Sequence, residues 1–190
     1  MKDRNAYVLL LLTTLFWGGN AVAGKLAVGH ISPMLLTTLR WGLACVVLAA
    51  FGWPRLKADW AVIRKRLGYL TLLSSAGFTA FNLSLYSALL FTSAINVSIE
   101  QAGMPILIFL ANFILFHLRV TWAQIVGFVV SLAGVVLTAA HGEPARLLDL
   151  DVNFGDALML IALVVYSGYT VALRFRPAVH WQSLMIVMCG

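Results

Sequence analysis

Two residues of opposite charge, Arg40 and Glu100, stand inside otherwise apolar runs, and no other ionisable side chain lies well inside a complete run. An ionisable group in hydrocarbon costs about 2.5–3.5 kcal/mol at a helix centre, so both need a partner or a function. Arg40 follows Pro33 by seven residues and Glu100 follows Ala94 by six. At 1.5 Å per residue both sit roughly 10 Å from the same side, so opposite charges share a level. The expectation is an interior pair, either an ion pair or two substrate contacts; a pair that only fixes helix packing is the competing reading.

Polar and small residues recur around them in steps of three or four, which places them on single helix faces. The sets are Thr13, Trp17, Asn20 and Gly24; Thr37 with Arg40; Ser75, Thr79, Asn82 and Tyr86; and Ser93, Asn96, Glu100 and Gly103. Four such faces would line a wet cavity for a polar solute, whereas an isolated Ser or Thr is better read as an interhelical hydrogen bond. The expected pathway is therefore Trp17, Asn20, Arg40, Asn82, Tyr86, Asn96, Glu100 and Tyr166. Glu100 could exchange protons and couple transport to a gradient, while a pair with Arg40 would keep it ionised.

Covalent chemistry finds less support. Neither HExxH nor GxSxG occurs, and His30, His117, His141 and His180 fall at run edges or between runs. An intramembrane enzyme and a non-transporting scaffold are the alternatives to a carrier, and no catalytic residue is assigned. Cys45 and Cys189 lie in apolar runs as small hydrophobes, so neither a metal site nor a cofactor is expected.

The elements that must position these groups are membrane spans. The chain has 190 residues, 62% of them hydrophobic and 11% charged, with a mean hydropathy of +0.94. A bilayer core about 30 Å thick takes about 20 apolar residues per helix. Runs of that kind cover 7–28, 33–51, 68–90, 94–116, 122–140 and 155–173, and a seventh starts near Ser183 and reaches Gly190 after eight residues. The chain reads as a piece expected to continue past Gly190. The start could pass for a secretory signal ending at Ala21-Val22-Ala23-Gly24, but the run continues to Val28 and takes part in the repeat described below.

The net charge of +6 does not indicate nucleic acid, because the basic residues lie between apolar runs and not along one face. With the amino terminus in the cytoplasm, Lys2, Arg4, Arg55, Lys57, Arg64, Lys65, Arg66, Arg119, Arg174 and Arg176 lie inside, and only Lys25 and Arg146 outside. This follows the positive-inside rule for a multi-pass protein of the inner membrane. The acidic group Glu143, Asp149, Asp151 and Asp156 then falls outside.

A shift of 149 residues lays the first run on the sixth: Leu9 on Leu158, Leu11 on Leu160, Gly19 on Gly168, Val22 on Val171 and Ala23 on Ala172, with Trp17 on Tyr166 and Lys25 on Arg174. Five runs precede the second copy, so it must cross in the opposite sense, and inverted repeats of this kind support alternating access. Met104-Pro105 is expected to kink the fourth run. Gln124, Gly127, Ser131 and Gly134 form a small-residue face expected to serve packing.

These residues resemble the EamA type of the drug/metabolite transporter superfamily. The likeness rests on Phe16-Trp17-Gly18-Gly19-Asn20, on Leu39-Arg40-Trp41, on the run from Ala88 to Ala94 continuing to Met104-Pro105, and on Arg119-Val120-Thr121-Trp122 followed by Gly127 and Gly134. The family's pattern often has an acidic residue before the position of Arg119; here it is Leu118. The resemblance implies an all-α polytopic membrane bundle of inverted five-helix repeats, the first complete over 1–140 and the second incomplete over 155–190, joined by an external acidic loop at 141–154. It also implies export of small metabolites, amino acids or drug-like solutes, with that solute and the lipid bilayer as partners. No motif specifies the solute, the coupling ion or an oligomeric state.

Overall fold

The computed structural model describes residues 2–139 and 153–190, and it contains helices and no strand among them. The acidic loop expected at 141–154 lies outside the described residues except at its last two positions, as does Ala140 at the end of the fifth run.

Helix α1 (Lys2–Ala27) ends where Gly29 takes a left-handed φ of 96°, open to a residue without Cβ. Ser32 then caps α2 (Pro33–Ile63) by accepting from the Leu35 N–H at 3.2 Å, with Pro33 in the first turn where its missing N–H costs nothing. The sequence reading ends this element at residue 51, but the helix runs on to Ile63 with Pro54 inside it. Tertiary contacts outweigh the proline. Gly52, Leu56 and Ile63 are buried, a Cβ on Gly52 would lie 2.8 Å from Ile186, and the Asp59 carboxylate accepts from the His180 N–H at 3.0 Å. These contacts bind the extension to α9 (Trp181–Cys189), which fills out the seventh run.

Helical structure continues through a 3-10 turn at Arg64–Arg66, α3 (Leu67–Ser74), a π-helical turn at Ser75–Ala80 and α4 (Phe81–Phe91). The apolar stretch Pro33–Phe91 has 59 residues, about 88 Å if straight. Arg40 and Asn82 within it are nevertheless hydrogen bonded. The chain therefore doubles back, and Arg66, with φ −122° and ψ 15°, leaves helical geometry at the head of the return arm. The π turn is a departure from the plain helix expected over 68–90; apolar patterning does not register one extra residue in a turn.

Ser93 caps α5 (Ala94–Ala102), whose path breaks at Gly103 before Pro105 opens α6 (Met104–Phe116), as the expected kink requires. His117, at φ 55°, ends α6 in the left-handed region. Then come α7 (Trp122–Ala139), α8 (Phe154–Ala172), a 3-10 turn at Leu173–Phe175 and α9. Among the described residues, nothing packs closely on Gly127, on the small-residue face of α7 expected to serve packing. Gln124, Gly127 and Ser131 are exposed, and a Cβ at Gly127 or Gly134 would meet nothing within 4 Å.

Two cores organise the bundle. One gathers Ile63, Leu70, Phe78, Tyr169 and Met188 where α2, α3, α8 and α9 meet. The other gathers Leu85, Leu89, Val97, Met104 and Met159 between α4, α5, α6 and α8. Tyr166 of α8 packs against both. Outside them the surface is apolar: Leu11 is 69% exposed, Phe51 79% and Trp122 81%. A surface so rich in large apolar side chains is stable against lipid and not against water. Asn5–Ala27, Pro33–Phe91, Ala94–Phe116 and Phe154–Phe175 are each long and apolar enough to cross a bilayer. The protein is a polytopic helical membrane protein.

Candidate functional site

A cavity of about 230 Å³ opens where the two cores meet, lined by residues of α1, α2, the π turn, α4, α5, α8 and α9. Its polar wall centres on Arg40. Nη1 of Arg40 donates to Asn20 Oδ1 at 2.9 Å, to Asn82 Oδ1 at 3.0 Å and to the Tyr86 hydroxyl. Tyr86, 1% exposed, passes its own proton to Asn20 Oδ1 at 2.9 Å. Asn82 is also buried, and its Nδ2 donates to the Phe78 carbonyl at 2.8 Å, which turns its oxygen towards the guanidinium. Three neutral groups from two neighbouring helices thus orient one cation.

The rest of the wall is aromatic. Trp41 lies 4.2 Å from Phe78 between ring centroids, Phe78 lies 6.1 Å from Tyr169, and Tyr169 lies 5.4 Å from Tyr166. Tyr166 meets Phe81 at 4.5 Å and Trp17 edge-on at 5.8 Å. The Arg40 guanidinium also stands over Trp41, 4.8 Å from the ring centroid. Gly77 lets α8 come this close, since a Cβ there would fall 2.4 Å from Tyr169. The π turn carries Gly77 and Phe78 and so shapes the floor of the cavity; such turns often occur at functional sites.

Trp17, Asn20, Arg40, Asn82 and Tyr166 of the expected pathway line this cavity, and Tyr86 stands directly behind its polar wall. Asn96 and Glu100 do not join them. The expected ion pair is absent among the described residues: Arg40 is held by neutral oxygens, and the charged group that Glu100 faces is Asp156. Equal depth fixed their level but not the direction in which each helix points them. Ser75 and Thr79 line a second cavity, of about 590 Å³, between α2, α3 and α9. Trp41, Phe78, Phe81, Gln101 and Tyr169 are lining residues that the polar pattern passed over. Tyr169, three residues after Tyr166 on one helix face, carried the most readable signal.

Asn96 belongs to a clasp at one end of the bundle. Its Nδ2 donates to Thr92 Oγ1 at 3.1 Å, and that hydroxyl donates to Asp156 Oδ1 at 2.9 Å. Lys25 Nζ donates to the carbonyls of Leu89 and Thr92 at 2.6 and 2.7 Å, placing a cation at the negative end of α4. Asp156 also accepts from the Asn153 N–H at 2.7 Å, completing the capping box of α8. The sequence reading counted Asp156 with the external loop; the structure puts it, buried, in the first turn of α8. The Asn153-to-Asp156 spacing was the signal for that cap. Glu100 Oε2 is buried beside this clasp without a hydrogen-bond donor among the described residues.

No group of three or more His, Cys, Asp or Glu capable of holding a metal occurs among the described residues. The arrangement offers an oriented cation, amides and aromatic rings in mutual contact around a partly open space, which is equipment for holding a solute.

Comparison with known proteins agrees. The chain is 26% identical over 171 residues to the uncharacterized transporter YyaM of Bacillus subtilis, a match covering 90% of this chain and 56% of that protein. It is 25% identical to the uncharacterized transporter YetK of the same organism, over 97% of this chain and 56% of the relative. It is 29% identical to an uncharacterized transporter of Archaeoglobus fulgidus, over 89% and 57%. The chain thus spans about half the length of the curated relatives it matches. No solved structure matches it significantly. The EamA-like transporter family model matches residues 4–140, so the chain, with its six apolar runs and solute-sized cavity, belongs to the EamA-like transporter family.

Proposed function

We propose that the Arg40 cavity is the central solute site of an alternating-access exporter of small metabolites. The observation that carries this reading is that one cavity draws its polar wall from α1, α2 and α4 and its aromatic floor from α8. These are the two segments assigned to opposite repeats, 1–140 and 155–190, separated by an external loop at 141–154. Trp17 and Tyr166, equated by the 149-residue shift, touch across the cavity, as residues near a pseudo-two-fold axis would. Rocking one repeat on the other would then expose the site to each side in turn. The basic residues favour a cytoplasmic amino terminus in the inner membrane. Proton coupling is assigned to Glu100, an ionisable group inside a membrane span whose Oε2 is buried without a hydrogen-bond partner among the described residues.

Counterflow in proteoliposomes tests the proposal. Vesicles preloaded with a mixture of unlabelled amino acids and aromatic metabolites should accumulate a labelled member transiently and saturably, and Arg40→Gln should reduce that accumulation at least tenfold. Non-saturable flux, or flux indifferent to Arg40→Gln in an inserted protein, removes the carrier reading of this site. Loss of the pH dependence of transport in Glu100→Gln, with counterflow retained, is the outcome expected of a coupling carboxyl.

A further inference from the structure

Resting on that reading of the cavity as a solute site, we infer that it selects a monoanionic carboxylate on a flat apolar body and discriminates against solutes that carry an ammonium group. All three hydrogen bonds of Arg40 fall on Nη1. Nε and Nη2 have no acceptor among the described residues, and the side chain is only partly buried. Those two nitrogens form the side-on edge of the guanidinium fork, the edge that grips a carboxylate through two parallel N–H bonds. The fork is held by its far corner and presents its gripping edge.

Charge points the same way. Among the described residues, Arg40 is the one charged side chain lining the cavity, and no carboxylate pairs with it. An entering carboxylate would complete a charge pair in a partly desolvated site. An ammonium would meet the Arg40 charge and, among the described residues, no lining anion, since Glu100 and Asp156 face each other outside the cavity wall. Arg40 already occupies the Trp41 face, so an ammonium seeking a cation–π contact on the remaining rings would do so beside a like charge.

The rings set the rest of the solute. Phe78, Phe81, Tyr166 and Tyr169 stand in contact with one another around a space of about 230 Å³, below the usual range for drug-sized ligands and suited to one ring with a short acidic arm. A zwitterion such as phenylalanine offers the same ring and carboxylate but must bury an ammonium beside Arg40.

Equilibrium binding to the protein in lipid nanodiscs, corrected with empty nanodiscs, tests this with four probes of one shape: phenylacetate, 2-phenylethanol, phenethylamine and phenylalanine. Phenylacetate should bind saturably and at least tenfold more tightly than each of the others. Arg40→Gln should bring phenylacetate to the level of the alcohol, and Arg40→Lys should fall between, keeping the charge but not the fork. A margin below tenfold, absence of saturable phenylacetate binding, or a folded Arg40→Gln that binds phenylacetate unchanged overturns the inference. If Arg40→Gln does not fold, the ranking of the four probes on the unmodified protein decides. Counterflow separates this inference from the carrier proposal. Saturable exchange of phenethylamine but not phenylacetate sinks the anion site and leaves the carrier, while selective phenylacetate binding without exchange does the reverse.

Discussion

The Tyr86 hydroxyl accepts from Arg40 and donates to Asn20, so it orders the two groups that define the polar wall of the cavity. Tyr86→Phe keeps the ring, which is packed on Gly24 close enough that a Cβ there would lie 2.8 Å away, and removes only the oxygen. Arg40 and Asn20 keep each other as partners, so the loss is that of two hydrogen bonds, each about 0.5–1.5 kcal/mol net. Thermal unfolding in detergent should shift down accordingly, and solute affinity should fall further as Arg40 loses its third restraint. An unchanged melting curve together with unchanged binding would show the hydroxyl to be dispensable. Arg40, Asn20 and Asn82 were legible in sequence because polar groups inside apolar runs are costly and must be explained. The same signal picked out Asn96 and Glu100 and put them in the wrong company. The expense of a group is visible in sequence, while the side of the bundle it faces depends on how each helix rotates against its neighbours.

At the scale of elements, two features control where α8 sits. The first is the π turn, which sets Gly77 under Tyr169. Gly77→Ala places a Cβ within 2.6 Å of three ring atoms that include Cγ, so Tyr169 cannot simply swing its tip aside. Overpacking of this kind costs about 1–3 kcal/mol. The variant should be less thermostable and bind solute more weakly, whereas Gly68→Ala, where a Cβ meets nothing within 4 Å, should do neither. Equal melting temperatures for the two would remove the role given to the turn. The second feature is the clasp at Thr92. Thr92→Val conserves shape but takes a donor from the buried Asp156 carboxylate and an acceptor from Asn96. A loss of about 1–3 kcal/mol is expected, read as faster proteolysis between α4 and α5, with cavity binding much less affected than in Gly77→Ala. Runs of apolar residues revealed nearly every span, including the interruption at Pro105. They missed the extension of α2 to Ile63, since Pro54 with Arg55, Lys57 and Asp59 reads as a loop, while contact with α9 favours the helix.

For the whole molecule, the exposed apolar girdle requires lipid, and the fold requires the two ends of α2 to lie on opposite faces of it. The turn at Gly29 and His30 precedes that helix, and the turn at Arg64–Arg66 follows it. Arg64, Lys65 and Arg66 carry three positive charges in a row, which by the positive-inside rule should be retained in the cytoplasm. The native thiols, Cys45 and Cys189, are partly buried and are replaced by serine so that they do not report. In that background, single cysteines in Lys65→Cys and His30→Cys should respond oppositely to a membrane-impermeant maleimide. Intact cells should label His30→Cys at once, and Lys65→Cys only after permeabilisation. The reverse pattern would invert the protein but keep its architecture, and with it the cavity where α8 closes on Arg40. Labelling of both positions from the same side would mean that α2 does not cross the membrane. Arg40 would then have no reason to lie in a desolvated site, and neither the carrier nor its anion selectivity could stand on this geometry.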